Sequence, residues 1–194
     1  MSNESGRPDR RRFIAGMAVY CAAGAFGSIA RASEAASPDP DRRVRPSGSR
    51  SLSFLHTHTG ERLAVDYFQD GNYQPDGLAQ VNYLLRDFRT NDVHPIDPAL
   101  LDVLFDLQTL AQTETAFEVI SGYRSPATNT MLRRTTEGVA QHSMHLEGRA
   151  VDVRLQQFST AALARLARSL ARGGVGFYPA SDFVHVDTGR VRSW

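Results

Sequence analysis

Two histidines and an aspartate crowd the stretch Gln141–Leu155, QHSMHLEGRAVDVRL, and a further histidine follows in DFVHVDTG. Imidazole nitrogens and carboxylate oxygens are the ligands that zinc holds at about 2.0–2.2 Å. For His145 and Asp152 to share one ion, their Cα atoms must come within roughly 10 Å, an allowance for two side chains. A fully extended chain would separate them by ~23 Å at about 3.3 Å per residue. The segment must therefore fold back, and Gly148 stands between them as a residue that turns without steric cost. Asp152 lies between Val151 and Val153. On a strand, alternation puts it on the face opposite both valines. An aspartate among apolar neighbours needs a partner, because an unpaired buried charge is costly. Two partners fit: a cation, or an arginine such as Arg149 or Arg154.

The later stretch tilts the choice. His185 lies between Val184 and Val186 and shares a strand face with Asp187. Polar residues flanked by valines do not read as a solvated surface. A hydrogen-bonded core histidine would explain His185 alone. Beside His145 and Asp152, a His–Asp–His site with an open fourth position explains all three. Three protein ligands with a water in the fourth place is the pattern of a catalytic zinc. The ligand types suit zinc and tolerate other first-row ions.

The elements that must position these residues follow from local pattern. SLSFLHTH-TG-ERLAVDYF reads as a hairpin around Thr59-Gly60. Asp76 is expected to cap a helix with Leu78, Val81, Leu84, Leu85 and Phe88 at helical spacing. Asp97-Pro98 opens a second helix with Leu100, Leu101, Leu104, Phe105 and Leu107. AFEVISGY is a β-rich run. Ser125-Pro126 opens a third helix, serine as cap and proline in the first turn. GRAVDVRL alternates as a strand. Ser159 caps a fourth helix expected to end at Gly173-Gly174. VGFYP and DFVHVDTG supply two more short strands. Helices and strands are mixed and the late strands are joined by short turns. The expected fold is α+β with a mostly antiparallel sheet and flanking helices.

The motifs resemble a known family. SMHLEGRAVD fits the S-x-H-x-x-G-x-A-x-D signature of the zinc D-Ala-D-Ala peptidases, which are related in fold to Hedgehog signalling domains. ISGYRSPATN and GGVGFYPASDFVHVDTGRVRSW are more narrowly similar to periplasmic murein endopeptidases of the YcbK (MepK-like) type. The likeness runs from about Ser51 to Trp194. It implies that His145, Asp152 and His185 bind Zn2+ and that the substrate is a peptidoglycan peptide. It implies that Arg124 faces the substrate, where a guanidinium suits a carboxylate or a developing oxyanion. Ser143 would brace the site by a hydrogen bond, and Ser121 and Tyr123 would support the Arg124 loop. Much of the family carries an acid three residues before the last histidine, here Asp182, which would serve as general base. Asp187 is its rival; failing that role, it would orient His185. His142 precedes the motif as a bystander, His56 and His58 lack a third donor, and His94 reads as a loop residue. The implied activity is hydrolysis of stem peptides or cross-links. A D,D- or L,D-carboxypeptidase or dipeptidase on the same scaffold is the alternative within the class. A zinc-containing cell-wall-binding module without catalysis is the alternative outside it.

Composition bounds the rest. The chain has 194 residues and a net charge of +1, enough for one cored domain and no argument for a nucleic-acid partner. Residues 1–32 read as a twin-arginine signal: Arg10, Arg11 and Arg12, Phe13, an apolar run from Ala15 to Ala30, and a small-x-small site at Ala30-Arg31-Ala32. The run of about 16 residues falls short of the ~20 that span a bilayer. Cleavage after Ala32 and release to the periplasm by the twin-arginine export machinery are expected, with no lasting membrane anchor. Residues 33–50 read as a disordered leader and 51–194 as the peptidase domain. The single cysteine, Cys21, lies in the signal. The mature domain therefore has neither disulfides nor thiolate chemistry.

Overall fold

A computed structural model describes residues 48–136 and 140–194. The signal (1–32) and most of the leader (33–47) lie outside the described residues. The first strand, β1 (Arg50–His56), begins at the last leader residue and turns through 57–61 into β2 (Arg62–Gln69), as the hairpin reading expects. There follow β3 (Asn72–Tyr73), α1 (Pro75–Leu84), α2 (Pro98–Leu110), β4 (Phe117–Ser121) and α3 (Pro126–Thr135). A 3-10 turn (Met144–Glu147), β5 (Ala150–Leu155), α4 (Thr160–Leu170), β6 (Gly174–Tyr178), β7 (Phe183–Asp187) and β8 (Arg192–Ser193) complete the chain. The strands form one sheet in the order β3-β2-β1-β4-β5-β7-β6-β8. Only β1–β4 and β6–β8 are parallel, so the sheet is mostly antiparallel and the fold is α+β.

Local chemistry sets most boundaries. Asp97 caps α2 by accepting from the Ala99 N–H, and Ser125 caps α3 by accepting from Thr128. Ser159 caps α4 through Ala162. Two expectations are corrected. Gln74 is the residue before α1 and Asp76 lies in its first turn, because Pro75 is already helical there. There its charge favours the helix dipole without making a cap bond. The fourth helix ends earlier than the glycine pair, at Ala171, which takes the left-handed conformation (φ 50°). Ala171 N–H then closes the helix on the Arg168 carbonyl.

The sheet separates core from chemistry. Val153 pairs with Val119 and Val184, and Val151 with Val186. All five are buried, with Leu163, Ala164 and Ala167 of α4 and Leu100, Leu101, Leu104 and Leu107 of α2 in the same core. By alternation, Asp152 and His185 project from the opposite face, where they stand directly across from each other. An irregularity between Val119 and Ser121 brings Ser121 level with Asp152 on the other side. Without that extra residue Ser121 would share Val119's face.

The fold-back before β5 is made by Gly148, which ends the 3-10 turn at φ 65°. Its carbonyl accepts from Asp97 N–H at 3.0 Å, tying the turn to the start of α2. A Cβ at this position would lie 2.2 Å from the Pro95 carbonyl oxygen. Gly148→Ala should therefore cost more than about 2 kcal/mol in urea unfolding, strain and clash together. Gly60→Ala, with a similar φ of 74° and nothing within 4 Å, should cost only about 1 kcal/mol.

Candidate metal centre

His145 sits in the 3-10 turn, buried at 1% exposure. Its Nδ1 is 2.7 Å from the Gly122 carbonyl oxygen. A carbonyl only accepts, so Nδ1 carries the proton and Nε2 presents a lone pair. His185 is fixed the same way by another acceptor: its Nε2 lies 3.0 Å from Asp187 Oδ2. Nε2 donates, leaving the Nδ1 lone pair directed at Asp152. The two imidazole lone pairs and Asp152 Oδ1 converge on one point. His145 Nε2 is 3.2 Å from Asp152 Oδ1 and 3.2 Å from His185 Nδ1, and His185 Nδ1 is 2.9 Å from Asp152 Oδ1. Ligands on a tetrahedral zinc stand about 3.3–3.6 Å apart, given bonds of 2.0–2.2 Å. Three buried lone pairs at nearly that spacing repel one another unless something positive sits among them, so this donor set fits a metal ion.

The surroundings hold each of the three side chains in place. Ser143 caps the 3-10 turn and accepts from the His145 backbone N–H at 3.4 Å, bracing the ligand through its main chain. Arg124 donates from Nε to Ser121 Oγ at 2.8 Å and from its terminal nitrogen to Asp152 Oδ2. Its backbone N–H also meets the His145 carbonyl at 3.1 Å. The arginine partner of Asp152 is thus Arg124, 28 residues upstream, whereas the nearby Arg149 and Arg154 pair elsewhere. Arg149 bonds Thr188 and Glu147, and Arg154 bonds Glu118.

Asp187 is fully buried and saturated. Its Oδ1 accepts from the Gly174 and Gly189 N–H groups and from Arg192, and its Oδ2 from His185 and Arg192. It orients His185 and has no lone pair to spare for a substrate proton. Asp182 is mostly exposed and engages Thr160 and Arg154. The chain does turn at Asp182, with φ 51°, yet no hydrogen bond or ion pair joins its carboxylate to the triad. His142 is exposed. His56 and His58 pack on Phe88, and His94 stacks on Tyr123 with rings 4.6 Å apart. The Gly122 carbonyl, Arg192 and Trp194 are contributors that sequence reasoning passes over. A carbonyl has no residue-type signature, and the other two reach the site from β8 and its end.

Electrostatics follow from this packing. Burial pushes the His145 imidazole below its usual pKa, with Asp152 pulling the other way. Burial also opposes a charge on His185, but the bonds to Asp152 and Asp187 outweigh it and raise the value. Burial works against ionised Asp152, yet the two histidines and Arg124 hold it well below the carboxylate range. Asp187 is held low against burial by His185, Arg192 and two backbone N–H groups. The raised basicity of His185 means that a proton competes with a metal ion for this position.

A family described as peptidoglycan L,D-endopeptidase MepK (Peptidase_M15_2) matches residues 44–194. The probable peptidoglycan L,D-endopeptidase MepK of Haemophilus influenzae is 44% identical over 146 residues, covering 75% of this chain and 78% of that protein. The peptidoglycan L,D-endopeptidase MepK of Escherichia coli K12 is 41% identical over 145 residues, covering 75% and 80%. Among solved structures, the L-Ala D-Glu endopeptidase ChiX of Serratia marcescens aligns with 40% of this chain and 62% of its own, at 28% identity and a TM-score of 0.31.

Metal affinity should rise with pH through the histidine range and above it, because the proton on His185 is held more tightly than usual and must leave. Calorimetric zinc titrations in buffers of different ionisation enthalpy would register that release; pH-independent affinity would contradict it. Asp187→Asn should weaken binding about 10- to 100-fold by loosening His185, measured by competition with a chromogenic chelator.

Proposed function

The chain belongs to the Peptidase_M15_2 family of peptidoglycan L,D-endopeptidases, and we propose that it cuts peptidoglycan peptide bonds with a zinc ion held by His145, Asp152 and His185. The observation that carries the zinc reading is the convergence of three lone pairs, on His145, His185 and Asp152, fixed from behind by Gly122, Asp187 and Arg124 respectively. The family names an endopeptidase, which favours cutting cross-links over trimming free ends or binding without cleavage.

When bound, zinc would supply a Lewis acid for the scissile carbonyl and lower the pKa of an attacking water toward ~7. The residues of the chain do the rest. Gly122 and Asp187 hold the two imidazoles in the tautomers that leave Nε2 of His145 and Nδ1 of His185 unprotonated. Arg124 and Arg192 neutralise Asp152 and Asp187, so the positive charge of the centre stays available to a substrate oxygen. Arg124 has one terminal nitrogen with no hydrogen bond among the described residues. This N–H can donate to a peptide carboxylate or to the oxyanion of the attacked carbonyl.

The place of work is the periplasm. The twin-arginine pattern of residues 1–32 and a peptidoglycan substrate support it, with the export machinery as partner. No helix among the described residues is long and apolar enough to cross a membrane.

The purified protein should release monomers from cross-linked muropeptides, lose that activity to a chelator and regain it with zinc. His145→Ala should abolish it while circular dichroism stays unchanged. Full activity in the folded variant would refute the assignment. Arg124→Lys should lower kcat on the order of 10²-fold, the scale of one lost oxyanion donor.

A further inference from the structure

Trp194 borders the metal centre. Its indole lies 5.3 Å from the His185 ring, centroid to centroid. Its backbone is clipped to β6 at both ends, Trp194 N–H to the Val175 carbonyl at 3.2 Å and Phe177 N–H to the Trp194 carbonyl at 3.1 Å. The indole N–H donates to the Tyr178 hydroxyl at 2.8 Å, and Tyr178 stacks on Phe183 at 4.6 Å. The Arg192 guanidinium sits 5.0 Å from the Trp194 ring centre while bonding Asp187. Beneath the ring is Gly176, the register partner of His185. A Cβ there would meet three indole atoms at 2.7–2.8 Å, so glycine is what lets the ring lie against the sheet.

Despite these restraints Trp194 as a residue remains 49% exposed. A large ring fixed by backbone clips, a hydrogen bond and a cation, on a residue left half exposed, is preorganised to receive a partner. Its low rotamer freedom makes such contact inexpensive in entropy. Phe183 alternates onto the same face as His185, so Trp194, Tyr178 and Phe183 form a continuous aromatic shelf beside the ligand. We propose that this shelf is a substrate subsite, with Trp194 as its anchor, and that it receives the aliphatic part of the peptide residue next to the scissile bond. Continuity with the metal ligand selects this occupant: whatever presents its carbonyl to the centre must lay its neighbouring atoms along the indole. The inference rests on the peptidase reading.

Trp194 is the only tryptophan in the chain, so its fluorescence reports on the shelf directly. In zinc-loaded wild-type protein, uncross-linked muropeptide products should shift its emission to the blue, saturably. With cross-linked muropeptide dimers, Trp194→Ala should raise KM on the order of tenfold, the scale of a lost aromatic anchor, with kcat within about threefold. Trp194→Phe should restore most of the KM. Zinc content and melting temperature should not move, which separates a binding role from support of His185. Emission indifferent to saturating product, or unchanged KM in Trp194→Ala, would overturn the shelf while leaving the peptidase reading intact. Should Trp194→Ala fail to fold, the wild-type emission decides alone. A wild type that cuts no dimer would instead overturn the reading on which the shelf rests.

Discussion

Three lone pairs directed at one buried point are the constraint around which the structure is arranged. Two imidazole nitrogens and a carboxylate oxygen, all within 3.2 Å of one another, are repulsive in isolation. They persist because each is locked from behind: His145 by the Gly122 carbonyl, His185 by Asp187, Asp152 by Arg124. Each carboxylate also has its own arginine. The protein charges therefore cancel within the cluster, and a divalent ion placed there would keep its charge for the substrate. A site with unpaired aspartates would bind the ion more tightly and blunt it as an electrophile.

The architecture follows from this need. Antiparallel pairing of β5 with β7 sets Asp152 across from His185 without any loop to position them. The same pairing sets Val151 against Val186 and Val153 against Val184 on the reverse face, where α4 and α2 bury them. One sheet thus serves as core wall and as platform for chemistry, and a one-residue slip in register would exchange the two. The third member of the cluster, His145, lies outside the sheet. It comes from the 3-10 turn, whose position depends on Gly148 and on the hydrogen bond to Asp97.

Much of this was legible in the sequence, for identifiable reasons. The valines around Asp152 and His185 betrayed strands whose polar residues needed a partner, and Gly148 between ligands marked the fold-back. The caps at Asp97, Ser125 and Ser159 were readable because capping is local. What escaped was non-local. Arg149 and Arg154 were the arginines close to Asp152 in sequence, but alternation and the turn send them to Thr188 and Glu118. The irregularity before Ser121 brings in Arg124 from far upstream. Asp182 sits three residues before His185 and the chain turns there, yet its carboxylate is spent on Thr160 and Arg154. Asp187 shares the right face but is enclosed by five donors. Trp194 gave no signal in sequence, since its meaning depends on β8 pairing back to β6 over Gly176.

X-ray absorption at the zinc edge of the metal-loaded protein tests the central claim most directly. The account predicts one ion per chain in a four-coordinate shell, with nitrogen and oxygen neighbours at about 2.0–2.2 Å and multiple scattering from two imidazoles. A shell showing fewer than two imidazoles, or a His185→Ala protein with the same spectrum as wild type, would contradict it.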